Sequence, residues 1–203
     1  MSGGNFGIRL IVNTLMKWLL LLLLFSVDPN APSRRLVLIP IGAVSDDTLL
    51  HLKSELAVHL RREVFIGEGV PLPASAYRVE RNQYLGEALL KELETRDSPD
   101  ATRVIGIIDG DAYAPGLNFI FGQARKPGRF AVVALSRLRQ GLTDRPDDVQ
   151  RFRARAAKVA THEIGHTFGL SHCEDRECVM HFANSVFELD DSGSRYCERE
   201  GLR

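Results

Sequence analysis

The sequence predicts an α/β fold, a single domain in which a mixed, twisted sheet packs on helices. Three observations carry that prediction. Short apolar runs at residues 35–41, 103–109 and 130–135 have the length of buried strands and are rich in β-branched residues. Segments with leucines at helical spacing, residues 46–64 and 83–96, lie between them. A third helical stretch, residues 144–168, runs into the sequence HEIGHTFGLSH, which is dense in metal-binding side chains.

The elements follow in order. The first strand is bounded by Pro40 and Gly42. Asp46 or Asp47 is placed to cap the next helix, which carries Leu49, Leu50, Leu56, Leu60 and Val64; its His51 and His59 are expected to face solvent. A second helix is expected over residues 83–96, with Leu85, Leu89, Leu90 and Leu93 as its apolar stripe. Residues 103–109 make a central strand, followed by a turn at Asp109-Gly110-Asp111, where most of a calcium-loop pattern is missing. Residues 117–123 and 130–135 are expected as strands of an edge hairpin joined through Lys126-Pro127-Gly128. The last helix starts near Asp144 to Pro146, with Asp147 and Asp148 favourable in its first turn. Val149, Phe152, Ala156, Ala160, Ile164 and Phe168 form its stripe, nearly opposite His162 and His166. Gly165 costs about 1 kcal/mol of helix propensity relative to alanine, which a close approach of backbone or substrate would explain. Arg151, Arg153, Arg155 and Lys158 are expected to be a solvated face of this helix.

Composition narrows the function. The formal net charge is zero and the hydrophobic fraction is 44%. Without a large single-sign field, nucleic acid is not an expected partner. Residues 34–203 suit one domain with one core, expected to be monomeric. Residues 1–33 form a hydrophobic leader and linker: Lys17-Trp18, an apolar run to Val27, then DPNAPS. The run from Trp18 has the length of a signal-peptide core; extended back through Ile8 it makes a poor anchor interrupted by Arg9, Asn13 and Lys17. No small-residue cleavage site follows it, and a mis-assigned start near Arg34 is a third reading. Membrane association through residues 8–27, or a non-native leader, is favoured over export.

The chemistry lies in residues 162–172. At a rise of about 1.5 Å per residue, His162 and His166 sit one turn apart on one helix face, so both imidazoles can converge on one zinc ion. Glu163 then stands beside the open coordination position, where it can take a proton from water. Gly169 can end the helix in left-handed geometry and return the chain, so that His172 supplies a third ligand. Histidine pairs four apart on a helix usually bind nothing, but chance production of the whole set in a chain this long is roughly one in 10^5.

The run HCEDRECVMHF and the later SRYCERE add Cys173, Cys178, Met180 and Cys197. Three cysteines cannot all pair within one chain, and a metal is favoured over a Cys173–Cys178 disulfide because the thiols adjoin the histidine motif. From Thr161 to Cys197 the chain resembles the archaemetzincins, a branch of the metzincin zinc peptidases. Their signature is H-E-x-x-H-x-x-G-x-x-H-C, four residues, C-x-M, then C-x-x-C after roughly seventeen more. LVLIPIG (residues 36–42) and PGLNFIFGQA (residues 115–124) resemble the family more loosely.

The resemblance implies a metzincin-like catalytic domain whose active-site helix is followed by a Met-turn. It implies that His162, His166 and His172 hold a catalytic zinc, that Glu163 is the general base, and that Met180 is the Met-turn methionine. Cys173, Cys178 and Cys197 match three of four cysteines that hold a second, structural zinc. Glu200 stands where the fourth cysteine is expected, so a weakened or exchangeable site is expected, with Glu200 or water as fourth ligand. The family's architecture implies an extended peptide lying antiparallel to an edge strand, for which Asn118, Phe119, Ile120 and Phe121 are the candidates. It also implies an intracellular enzyme. The expected function is zinc-dependent peptide hydrolysis; the alternatives are a catalytically silent zinc-binding scaffold of the same fold and a hydrolase of non-peptide amides. His181 lines the pocket in either case or serves structure alone.

Overall fold

The computed structural model describes residues 35–96, 101 and 103–200. The leader expected over residues 1–33 lies outside them. Among the described residues, no helix is long and apolar enough to cross a membrane.

Strand β1 (Leu36–Ile41) leads into helix α1 (Asp46–Leu60) and strand β2 (Val64–Ile66). After a 3-10 turn come β3 (Tyr77–Arg78), β4 (Gln83–Leu85) and helix α2 (Gly86–Glu94). Strands β5 (Arg103–Ile108), β6 (Ala112–Tyr113), β7 (Gly122–Ala124) and β8 (Phe130–Ala134) follow. The long helix α3 (Pro146–Thr167) and the short α4 (Val186–Asp191) complete the set. The main sheet has the order β2-β1-β5-β8-β7. Its neighbours pair parallel except β7, which is antiparallel to β8 at the edge. A smaller sheet has the order β3-β4-β6.

Strand alternation sorts the core into two layers. Leu36, Leu38, Ile105, Ile107, Ala131 and Val133 point to one face and pack with Leu49, Leu52 and Leu56 of α1 and Phe152, Ala156, Ala160 and Ile164 of α3. Ile41, Val104, Ile108, Val132 and Ala134 point to the other face, under Leu89, Leu90 and Leu93 of α2. Strands buried on both faces read as continuous apolar runs, which is why residues 35–41 and 103–109 were recognisable as strands.

Several expectations change in detail. The cap of α1 is Ser45, whose hydroxyl accepts from the Thr48 N–H, with Asp46 and Asp47 in the first turn beyond it. Val64 belongs to β2, Leu50 is 59% exposed, and the His59 side chain is only 12% exposed instead of facing solvent. Residues 83–85, expected to start a helix, instead pair with β3 and β6, and the helix begins at Gly86. The edge strand is confined to Gly122–Ala124. Asn118, Phe119, Ile120 and Phe121 form no regular strand: Ile120 makes one isolated bridge to Ala112, and the Leu117 and Asn118 carbonyls accept from the Arg81 guanidinium instead.

Of the basic residues expected on a solvated face of α3, Arg151 is exposed, but the other three are engaged. Arg155 is 3% exposed; it forks onto both Asp190 oxygens at 2.7 Å and donates to the Leu138 and Gln140 carbonyls. Lys158 donates to the carbonyls of Leu189, Asp190 and Ser192, and Arg153 pairs with Asp47. These cations fasten α3 to α1 and to the segment around α4.

The start of α3 has no side-chain cap at Arg145. Asp148, one turn inside, reaches back to the Thr143 hydroxyl (2.5 Å), the Thr143 N–H (3.0 Å) and Arg145 Nε (3.1 Å). These donors, the Thr143 hydroxyl first, hold its carboxyl down from 3.8 to about 2. A carboxyl depressed on folding contributes stability that is present above 3.8 and is lost as pH falls toward 2. Asp148→Asn should therefore lower the Tm at pH 7, and its deficit against the parent should shrink as pH falls through that window in a circular-dichroism melting series.

Candidate metal centre

Helix α3 carries His162, Glu163 and His166 and ends with two hydrogen bonds characteristic of a Schellman turn: Gly169 N–H donates to the His166 carbonyl at 2.8 Å, and Leu170 N–H to the Gly165 carbonyl at 3.2 Å. Gly169 takes the left-handed conformation, φ 93°, that lets the chain reverse there. The reversal brings His172 back to the helix. The three rings stand around one point, with centroids 4.6 Å (His162–His166), 5.0 Å (His166–His172) and 5.3 Å (His162–His172) apart.

Two of these imidazoles have their tautomer dictated by backbone. His162 Nδ1–H donates to the Val179 carbonyl at 2.8 Å, and His166 Nδ1–H donates to the Leu170 carbonyl at 2.7 Å. A carbonyl can only accept, so each ring keeps the proton on Nδ1 and presents an Nε2 lone pair inward. Desolvation, the largest effect, lowers His162 to about 4, with His166 and His172 adding to it. Burial also lowers His166 and His172. The rings are therefore neutral near pH 7, and their donor atoms lie within 4.8 Å of one another. Three neutral imidazoles with converging donor atoms, two of them backed by carbonyls, are what a zinc ion with three protein ligands requires, so the residues fit that metal.

Glu163 is 6% exposed, and burial pushes its carboxyl up to about 8. It fits because β7 has no side chain at Gly122, where a Cβ would fall 2.5 Å from Glu163 Cγ and 2.7 Å from its Oε1. The sequence held no signal for that pairing beyond a glycine in the run GLNFIFGQA. Asn118, Phe119, Ile120, Phe121, Gly122, the three histidines and Glu163 all line one cleft of about 670 Å³. Lys126, His181 and Phe182 line it too, and Val159, Val179 and Leu189 add apolar surface.

Beneath the histidines, Met180 is fully buried with Cys173, Cys178 and Val179. Its sulfur sits where a Cβ on Gly165 would go, and Tyr196 Cε1 lies 2.9 Å from that position. The close approach at Gly165 is thus made by two side chains, not by backbone or substrate. Cys173, Cys178 and Cys197 gather their sulfurs within 4.8 Å of one another; none forms a disulfide, and Cys197 N–H donates to Cys178 Sγ at 3.3 Å. Burial, chiefly, pushes the Cys178 thiol up to about 11, and the charges of Cys173 and Cys197 raise the neighbouring Arg199. Glu200 ends a 3-10 turn, Glu198–Glu200, that starts next to Cys197. His181 donates through Nδ1 to the Cys173 carbonyl at 3.0 Å, which turns it to a structural task at the cleft's edge.

A three-imidazole centre with a buried carboxyl, set below a sheet edge that can take an extended chain, is the design of a zinc-dependent peptidase. Comparison with known proteins narrows the class. Residues 60–201 match the family model of Peptidase family M54. The archaemetzincin of Methanopyrus kandleri is 48% identical over 128 residues, covering 63% of this chain and 69% of the relative. That of Methanocaldococcus jannaschii is 37% identical over 169 residues, 81% and 89% of the two chains. The crystal structure of the M. kandleri protein superposes with a TM-score of 0.74 at 38% identity, covering 86% of this chain and 94% of that one. The Archaeoglobus fulgidus archaemetzincin gives 0.70 at 33% identity, covering 81% and 97%. The chain belongs to Peptidase family M54, the archaemetzincins, and is a zinc metallopeptidase acting on peptide or protein substrates.

Filling the space at Gly165 tests the packing of the Met180 shelf. On an exposed helix, glycine to alanine gains about 1 kcal/mol. Here Gly165→Ala should instead destabilise by about 1–3 kcal/mol, as overpacking does, measured by urea unfolding of the metal-free protein.

Proposed function

We infer that His162, His166 and His172 hold the catalytic zinc through Nε2 and that Glu163 is the general base of peptide hydrolysis. The observation that carries the reading is the pair of carbonyl locks on His162 and His166, which leave the Nε2 atoms as the free donors. When bound there, zinc supplies the Lewis acidity that makes water acidic near neutral pH and polarises the scissile carbonyl. Glu163 takes the proton of the attacking water and hands it to the leaving amine nitrogen. Its buried position beside Gly122 keeps the carboxyl inside the cleft and shields it from bulk solvent. The substrate lies extended along the outer edge of β7, pairing backbone to backbone, with residues 118–121 lining the adjoining wall.

Cys173, Cys178 and Cys197 are the proposed ligands of a second zinc, with Glu200 or water as the fourth. Their gathered sulfurs and the absence of disulfides support this reading. A zinc ion bound there would take the place of the proton that burial otherwise keeps on the Cys178 thiol.

Glu163→Gln should reduce kcat/KM on a mixed peptide pool by about 10^2–10^4-fold while zinc content stays that of the parent; retained turnover would remove the general-base role. Metal analysis should find two zincs per chain, one lost first to a chelator, and only one in Cys178→Ser. A variant count equal to the parent's would remove the second site. An intact fold with zinc bound and no cleavage of any peptide in the pool would favour the scaffold reading.

A further inference from the structure

The three histidines are not held alike. His162 and His166 are each anchored by a hydrogen bond from Nδ1 to a backbone carbonyl. His172 makes no hydrogen bond among the described residues and is exposed at the lip of the cleft. It sits three residues past the glycine turn, outside any helix or strand. Besides the other two imidazoles, the ring that lies against it is Phe182, with centroids 4.8 Å apart and planes inclined by 37°. Phe182 is 50% exposed and lines the cleft beside His172.

The backbone fixes the two rings to each other. Cys173, next to His172, forms a parallel bridge with His181, next to Phe182. Cys173 N–H donates to the Met180 carbonyl at 2.9 Å, and His181 Nδ1–H donates to the Cys173 carbonyl at 3.0 Å. The segment bearing Phe182 is thus tied to the segment bearing His172 at Cys173, directly beside the ring contact. A planar neighbour restricts the rotation of the imidazole about its side-chain bonds, the task a carbonyl performs for the other two histidines.

We propose that Phe182 is a positioning residue for the metal centre, holding the His172 imidazole in its ligating orientation by a tilted ring-to-ring contact in place of a hydrogen bond. This rests on the three-histidine reading of the site. Phe182 contributes no donor atom; it limits the rotation of one that no hydrogen bond holds.

Cobalt(II) titration of the metal-free protein separates the two centres, because only the thiolate cluster gives sulfur-to-cobalt charge-transfer absorption. At the histidine site, Phe182→Ala should weaken cobalt and zinc binding about ten-fold, as loss of other outer-sphere partners does. Phe182→Tyr, which keeps the ring, should retain the parent's affinity; Phe182→Leu, apolar but not planar, should resemble the alanine variant and serves in its place if that fails to fold. Saturating zinc should restore kcat to Phe182→Ala. Parent-like affinity in Phe182→Ala and Phe182→Leu overturns the proposal, as does a loss in Phe182→Tyr equal to that in Phe182→Ala. A KM increase that zinc does not reverse marks a substrate contact and overturns it too. His172→Ala, run in parallel, separates the two levels. If it loses the histidine-site cobalt while the Phe182 variants bind normally, only the Phe182 role falls; if it also binds normally, the ligand set falls as well.

Discussion

Everything at the centre depends on two backbone carbonyls. Val179 and Leu170 accept the Nδ1 protons of His162 and His166, and that choice of tautomer turns two ordinary helix histidines into inward-facing donors. Each carbonyl is itself held from elsewhere. Leu170 follows the glycine turn that closes α3, so the helix end supplies its own lock. Val179 lies between Cys178 and Met180 in the buried shelf, and its N–H donates to the Arg195 carbonyl at 2.8 Å.

The cysteine cluster is therefore joined to the histidine centre at two points. Cys173 follows His172 directly, and Cys178 precedes the residue whose carbonyl orients His162. In the proposed reading, an ion held by Cys173, Cys178 and Cys197 pins both segments and supports the ligands above it without entering the cleft. Tyr196 completes the shelf, its hydroxyl donating to the Thr161 carbonyl of α3 at 2.5 Å while its ring lies against Gly165. On the opposite wall, Gly122 leaves room for the Glu163 carboxyl, and the same short strand forms the open edge of the sheet.

What the sequence made legible follows from how local each feature is. His162 and His166 are related by helix geometry, and Gly169 announces its own turn, so the donor set could be read from spacing. The buried strands were visible because apolar side chains are needed on both of their faces. The failures are non-local. Leu85 completed a leucine stripe, yet residues 83–85 gain more by pairing with β3 and β6. The run from Leu117 to Phe121 has strand-like composition, but Arg81 takes the Leu117 and Asn118 carbonyls, so the start of the segment does not pair as a strand. Arg155 looked solvated because Asp190, its partner, lies 35 positions away. The reliance of Glu163 on Gly122, and of His172 on Phe182, joins residues that no periodicity connects.

The central claim is that backbone carbonyls select Nε2 as the ligating atom, and a crystal structure of the zinc-loaded enzyme with anomalous data at the zinc edge tests it most directly. The account predicts one zinc bound by Nε2 of His162, His166 and His172 at about 2.0–2.1 Å, with the Val179 and Leu170 carbonyls still bonded to Nδ1. Ligation through Nδ1 of His162 or His166, or a zinc held away from these rings, would contradict it.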